Sequence, residues 1–180
     1  MDSRLLITLI LFLLGEALIV VGLIRKKAKK RIKFVATSTV SFSLYLLALY
    51  LLRISVPFFI TLFALAAVLI HTFMGFYLNL YNLSKVFDRY LHGYGTFSFA
   101  LLIYMTLSAI TEPGGSVLFR AVYVAVLGIA TGSVFEIMEF AHDVKQNFKM
   151  QRGLKDTNMD MLFNLVGAAA AAVFAAFVLF

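Results

Sequence analysis

The chain alternates between long apolar segments and short polar ones along its whole length. Mostly apolar segments lie at about 5–24, 34–52, 58–81, 87–110, 117–140 and 157–180, and about 20 apolar residues are what a helix needs to cross a bilayer. Pro57 and the "TEPGGS" stretch at 111–116 fall between segments, where helix-breaking residues belong. The pattern predicts an all-α, polytopic transmembrane helix bundle of about six spans, forming a single transmembrane domain over residues 1–180.

Composition supports this fold class. Of 180 residues, 62% are hydrophobic and 14% are charged, which is more apolar surface than a small soluble domain can bury. The absence of cysteine excludes disulfides, iron–sulfur clusters and thiolate zinc sites. Asp2 and Arg4 precede the first span and no small-residue cleavage site is visible, so we expect a retained span rather than a removed signal peptide.

The distribution of lysine and arginine predicts the orientation of the spans. Thirteen of the sixteen cations lie in three segments that fall on one side of a six-span protein, seven of them in "RKKAKKRIK" at 25–33. Because cytoplasmic loops are enriched in Lys and Arg, we expect a multi-pass cell-membrane protein with both termini extracytoplasmic. Basic residues beside a span typically contact anionic lipid headgroups, so membrane lipids are the expected partners and nucleic acid is not.

Ionisable residues inside the spans are concentrated in three places. Such residues are costly in a membrane and are usually functional. They open the fourth span, close the fifth and open the sixth: Asp88 and His92; Glu136, Glu139, His142 and Asp143; Asp156 and Asp160, whose stripe continues to the polar Asn164. With the predicted orientation, all three groups lie at the cytoplasmic side and at similar depth.

The two glutamates of the fifth span most need a positive partner. Glu136 and Glu139 lie in the C-terminal half of a helix, where the macrodipole opposes negative charge, and they repel each other. Arg89, Lys145, a shared proton or a divalent cation would each relieve this repulsion. The aspartates, in contrast, lie near helix N-termini, where the macrodipole alone stabilises an anion.

A metal site is one interpretation of the three groups together. Carboxylates with one imidazole and no thiolate suit Mg²⁺, Mn²⁺ or Ca²⁺ better than zinc, so Mg²⁺ or Mn²⁺ is the expected cofactor. The predicted metal ligands are Asp88, His92, Glu136, Glu139, Asp156 and Asp160. The alternative is a metal-free acid–base or salt-bridge network.

Small residues share helix faces with these polar side chains. Gly128 and Gly132 lie on the face of Glu136, and Gly167 lies on the face of Asp160. Small residues four apart allow membrane helices to approach closely. We therefore expect the carboxylates to point into the bundle.

Two further polar residues stand apart from the cluster. Glu16 in the first span and His71 in the third both fall near the middle of the membrane by residue count. They would form a mid-membrane pair, either as a hydrogen-bonded link between two helices or as a proton or ion relay.

Three segments resemble the YjdF-like integral membrane proteins of bacteria and archaea, which are related in pattern to the wider VanZ-like group. These are "FDRYLHGYGTFSFALL" (87–102), "FEIMEF" (135–140) and "DTNMDMLFNLVGA" (156–168), and they cover roughly the C-terminal half. The resemblance implies a compact multi-span protein that shares the six polar residues named above as metal ligands. The chain departs from the pattern at "QRGLK", where relatives tend to have a Gln-Gly-Asp stretch with a nearby Trp, so one acidic group is missing there.

Three functions are compatible with the sequence. The first is a divalent-metal-dependent hydrolase or transferase acting on a phosphorylated lipid at the cytoplasmic leaflet. Its catalytic residues would be His92, Glu136 and Asp160, and its phosphate- or lipid-binding residues Arg89, Lys145 and Arg152. The second is a non-catalytic lipid- or partner-binding membrane factor in which the cluster is a structural network. The third is a cation or proton transporter or channel, favoured by Glu16 and His71 but disfavoured by the off-centre position of the cluster.

Overall fold

All regular structure in the described part of the chain is helical, as predicted. The computed structural model describes residues 3–84, 86–111, 114–146 and 150–180, without the side chains of Ser3 and Gln146. The elements are α1 (Ser3–Arg25), α2 (Lys29–Leu51), α3 (Phe58–Leu69), a π-helix (Ile70–Tyr77), α4 (Leu80–Leu83), α5 (Phe87–Thr111), α6 (Val117–Gln146) and α7 (Leu154–Val178). Among the described residues, six helical segments are long and apolar enough to cross a membrane, which confirms the predicted number of spans.

The helices extend beyond the predicted spans into their polar flanks. The second span was expected to begin at about residue 34, but α2 begins at Lys29. Likewise α6 continues to Gln146, and α7 begins at Leu154. Lys, Arg, Gln and Glu are good helix formers, so backbone hydrogen bonding continues where the apolar pattern stops. Apolar runs therefore underestimate the length of these helices.

The third span changes helix type along its length and ends at Tyr77, four residues before the predicted end at about residue 81. After α3 the backbone becomes π-helical, and the amide of Leu78 donates to the carbonyl of Phe73 at 2.8 Å. Asn79 then adopts a left-handed conformation with φ 66°, which asparagine tolerates better than most residues. The helical segment ends at Tyr77, and the short α4 follows the break.

Some predictions fall on residues outside the description. These are Lys85 and Lys149, counted among the cytoplasmic cations, Asp2 before the first span, and Glu112 and Pro113 of the "TEPGGS" stretch.

The backbone forms two compact units, Met1–Phe87 and Asp88–Phe180. In the first unit, α1 packs against α2 and the π-helix. The buried centre of this packing consists of Ile19, Leu23, Val35 and Phe76. The single transmembrane domain expected over residues 1–180 stays a prediction.

Small residues hold the helices of the second unit close together. A Cβ on Gly128 of α6 would lie 2.7 Å from the Cβ of Ala168 on α7 and 3.1 Å from that of Ala100 on α5. A Cβ on Gly167 of α7 would press on the backbone of Gly93 in α5. These contacts agree with the close approach expected of small-residue faces. They position the first turns of α5 and α7 beside the second half of α6.

Candidate functional site

All six predicted metal ligands lie together at one end of the second unit, in what we call the acidic cluster. Its members are Asp88 and His92 of α5, Glu136 and Glu139 of α6, and Asp156 and Asp160 of α7. One helical turn from Glu136 and Asp160, Gly132 of α6 packs against Asn164 of α7. A Cβ added at Gly132 would lie 2.6 Å from the Asn164 Cγ, so this contact sets the spacing of the two helices. Three helices distant in sequence therefore present acidic side chains to one another.

The imidazole of His92 lies among three carboxylates. Its Nε2 atom is 3.6 Å from Glu136 Oε1, 3.7 Å from Glu139 Oε1 and 3.8 Å from Asp88 Oδ1. These distances exceed the usual length of a direct hydrogen bond, about 2.7–3.2 Å. They approach the separation of adjacent donor atoms around a cation, about 3.0–3.5 Å for metal–ligand bonds of 2.0–2.2 Å. The carboxylates thus surround Nε2 without any of them holding it in a short hydrogen bond.

The other ring nitrogen of His92 is oriented by Asn164. His92 Nδ1 lies 3.3 Å from Asn164 Oδ1, and the hydroxyl of Thr96 donates to that same oxygen at 2.7 Å. Because an amide oxygen only accepts hydrogen bonds, Nδ1 is the protonated nitrogen. In the neutral ring, the lone pair of Nε2 then faces the carboxylates, an arrangement typical of metal-binding histidines.

Two buried carboxylate oxygens in the cluster have no hydrogen-bond partner among the described residues. They are Glu136 Oε1 and Asp160 Oδ1, on side chains whose residues are only 5% and 3% exposed. The other oxygen of Glu136 accepts a hydrogen bond from Gln151 Nε2 at 3.0 Å. Leaving a buried polar atom unpaired is costly. These oxygens are therefore free, as far as the described residues go, to accept a further partner such as a cation.

The cluster contains three overlapping groups whose potential ligand atoms lie within 4.8 Å of one another. Two of them include His92, and the third consists of aspartates only. The groups are Asp88, His92 and Glu139; His92, Glu136 and Asp160; and Asp88, Asp156 and Asp160. Each group could hold a divalent cation, with the remaining coordination positions open to water or substrate.

Of the three predicted phosphate-binding cations, Arg89 forms a described ion pair with the acidic cluster. Its Nη2 atom is 3.5 Å from Asp156 Oδ1, and its buried Nε has no hydrogen-bond partner among the described residues. Arg152 places its backbone amide 3.4 Å from Asp156 Oδ2, with its side chain exposed. Lys145 is exposed in the last turn of α6. The guanidinium of Arg89 is thus the cation best placed to receive an anionic ligand.

Asp143 of α6 forms hydrogen bonds with the segment before α7. Its carboxylate accepts hydrogen bonds from the amides of Met150 at 2.7 Å and Gln151 at 2.9 Å. Gln151 in turn donates to the Glu136 side chain and to its backbone carbonyl. Asp143, grouped with the acidic stripe by its spacing, therefore orients the segment that covers Glu136.

Sequence reasoning missed three residues that support the cluster. Thr96 is four residues after His92, a spacing that places both on one helix face and could have indicated it. Asn164 was noted on the stripe of Asp160 but given no role. Gln151 lies outside the helices, where no periodicity could have found it.

The two mid-span residues of the first unit have separate hydrogen-bond partners. Glu16, which is 1% exposed, accepts hydrogen bonds from Thr72 at 2.7 Å and Thr39 at 3.1 Å. His71 is hydrogen-bonded to the hydroxyls of Ser38 and Tyr81. The hydrogen bonds described for the two side chains thus lead to different residues.

These helices and the buried polar cluster define a polytopic α-helical protein of the membrane type. The chain belongs to the family described as "Predicted membrane protein (DUF2238)", whose pattern matches residues 6–179. It is also similar to an uncharacterised protein of Thermotoga maritima, at 32% identity over 81 residues, which are 44% of this chain and 42% of that protein. The match thus spans less than half of the relative. No solved structure matches the chain.

Proposed function

We propose that the acidic cluster binds divalent metal and that the protein uses it, in the cell membrane, to hydrolyse or transfer a phosphorylated lipid. The observation that supports metal binding best is the pair of unpartnered buried oxygens, Glu136 Oε1 and Asp160 Oδ1, in one potential ligand group with His92. A cation would supply the missing partner for both oxygens at once. It would also offset the repulsion among neighbouring carboxylates.

The donor set favours Mn²⁺ or Mg²⁺ over Zn²⁺. Oxygen donors outnumber nitrogen by five to one among the six potential ligands, and carboxylate-rich sites suit hard cations. The Nδ1–H of His92 is held by Asn164, so its Nε2 is available as the single nitrogen ligand.

A phosphorylated lipid is the substrate class that fits the surroundings of the cluster. Arg89 offers guanidinium donors to a phosphate, and the exposed Arg152 lies in the polar segment just before α7. Acidic residues near helix ends are at the depth of lipid headgroups, and the basic loops would attract anionic ones. In this proposal Glu136, Glu139, Asp156 and Asp160 hold metal. His92 acts as a ligand or general acid–base group, and Arg89 contacts the phosphate.

The experiment combines metal binding with turnover. Purified protein in lipid nanodiscs would be supplied with phosphatidic acid or a polyprenyl diphosphate in the presence of Mn²⁺, and released phosphate would be measured. The variant Glu136→Gln should lose activity, whereas the matched isosteric variant Glu16→Gln, outside the cluster, should retain it. Metal binding without turnover of any phosphorylated lipid would favour the non-catalytic lipid- or partner-binding factor.

Proton or cation transport is a second candidate, favoured by Glu16. This fully buried carboxyl group contacts a threonine of the π-helix, and π-helical segments frequently occur at functional sites. Flux through the reconstituted protein, followed with a pH-sensitive dye, should then be abolished by Glu16→Gln and unaffected by Glu136→Gln. The opposite pattern is expected if the acidic cluster is the functional site.

A further inference from the structure

The three potential ligand groups do not describe one and the same metal position. Two of them use His92, whose single Nε2 lone pair can bind only one ion, so they represent alternatives around one centre. The third group, Asp88, Asp156 and Asp160, lacks His92 and contains Asp156, which neither of the others includes. Asp160 belongs both to this third group and to the group of His92 and Glu136.

Asp160, which is common to the two groups, has a buried oxygen without a hydrogen-bond partner. Asp160 is 3% exposed and its Oδ1 has no hydrogen-bond partner among the described residues. A carboxylate has two oxygens and about four acceptor sites, so it can bind two cations at once. Asp88 is likewise common to two groups, but Asp160 is the shared residue with a buried oxygen left unpaired by the described residues, which is the property expected of a bridging ligand.

With every carboxylate ionised, the charge of the cluster also favours two divalent ions over one. Its five carboxylates carry five negative charges when ionised, and one divalent ion together with Arg89 offsets three of them. Two divalent ions together with Arg89 offset all five. Arg152 also interacts with Asp88, but it is exposed, so solvent screens part of its positive charge. Buried charge without compensation is strongly unfavourable, so the two-ion state is the balanced one.

We infer that the acidic cluster is a dinuclear site with Asp160 as the bridging carboxylate. The first ion is held by His92 Nε2, Glu136 and Asp160, with Glu139 beside them. The second is held by oxygen donors only, from Asp88, Asp156 and Asp160, with Arg89 adjacent to Asp156. This inference rests on the proposed metal-binding function. It assigns the substrate phosphate to the side of the second ion, where Arg89 lies, since paired cations about 3.5–4 Å apart clamp phosphate oxygens in many phosphatases and nucleases.

The test is the number of Mn²⁺ ions bound per chain, measured on the full-length protein in detergent. Elemental analysis after gel filtration gives the stoichiometry, and electron paramagnetic resonance distinguishes an isolated Mn²⁺ from two coupled ions. The expected result is two ions with a coupled spectrum. The variant Asp156→Asn removes the charge of a ligand found only in the all-oxygen group and weakens that position, so it should retain one ion with an uncoupled spectrum.

Two further variants complete the design. Glu136→Gln removes the charge of a ligand at the first position only and should also leave one ion, whereas Glu16→Gln should still bind two. Circular dichroism would confirm that each variant is helical before its metal content is compared. One ion per wild-type chain, with no coupled spectrum at saturation, would overturn the dinuclear inference while leaving the proposed metal-dependent function intact. No bound Mn²⁺ at all would overturn both.

Discussion

His92 and Asn164, 72 residues apart in sequence, form the hydrogen bond that orients the acidic cluster. The Nδ1 atom of His92 lies 3.3 Å from Asn164 Oδ1, which also accepts a hydrogen bond from Thr96. This contact directs the other ring nitrogen towards three carboxylates. Asn164 therefore controls the availability of Nε2, although it is not one of the potential ligands.

Replacing Asn164 with alanine should weaken metal binding more than folding. Loss of the acceptor frees the ring of His92 to rotate or change tautomer, and removal of such supporting hydrogen bonds typically costs about 10–100-fold in metal affinity. Calorimetric titration with Mn²⁺ measures this directly. Thr96→Val is the matched control, because it removes only the second hydrogen bond to the amide oxygen and should have a smaller effect. An unchanged Mn²⁺ affinity with a lowered melting temperature would show that Asn164 is purely structural.

The variant Glu136→Gln should separate the metal interpretation from a metal-free one. If a cation occupies the cluster, the loss of one ligand charge weakens binding, and Mn²⁺ then raises the melting temperature less than in wild type, by linkage. If the carboxylates instead share protons, the amide relieves repulsion and raises the melting temperature without any metal dependence. The measurement is a thermal melt in detergent with Mn²⁺ and with EDTA. Adding Glu139→Gln should enlarge the effect, since neighbouring groups couple.

Gly167→Ala should destabilise the second unit. The added Cβ would press on the backbone carbonyl of Gly93 and lie 2.9 Å from its carbon, and backbone cannot move aside as a side chain can. We expect a loss of about 1–3 kcal/mol in the free energy of unfolding, the usual cost of overpacking. Gly95→Ala is the control, because nothing lies within 4 Å of its Cβ position. A Gly167→Ala protein as stable as Gly95→Ala would contradict the close approach of α5 and α7.

The predicted orientation can be tested by thiol labelling, because the chain has no native cysteine. Single cysteines at Lys29, Gly114 and Met150 would be exposed to a membrane-impermeant reagent in intact cells and in inverted vesicles. We expect positions 29 and 150 to react from the cytoplasmic side and position 114 from the opposite side, since cations concentrate in cytoplasmic loops. Labelling of 29 and 114 from one side would refute the six-span orientation.

The sequence predicted where the acidic residues lie along their helices. It predicted how they are arranged relative to one another only in outline. The groups around Asp88, Glu136 and Asp160 lie at successive helix ends, so a bundle of antiparallel spans brings them to one side. Which oxygen of Glu136 faces His92, and which one Gln151 binds, depends on rotations of the helices about their axes. Contacts such as Gly128 with Ala168 set those rotations, and no periodicity within a single helix encodes them.

The backbone of the third span likewise combines features that the sequence predicted with features that it did not. Its apolar residues predicted a membrane-length helix, and the helical segment from Phe58 to Tyr77 agrees. The change to a π-helix after Leu69 had no local signal. At Gly75 the ring of Tyr81 occupies the space that a Cβ would need, so this region depends on packing with residues beyond the helix end. The backbone geometry there was decided by tertiary contact.

By itself, the sequence determined the fold class, the six membrane-length helices and the presence of acidic groups at three helix ends. It could do so because lipid cannot satisfy backbone polar groups, which makes long apolar segments helical whatever their neighbours are. The tertiary structure decided that Asn164 orients His92, that Gln151 covers Glu136, and that Asp160 lies in two ligand groups. Each of these depends on distances of a few ångströms between residues from different parts of the chain, which only the close packing of α5, α6 and α7 defines.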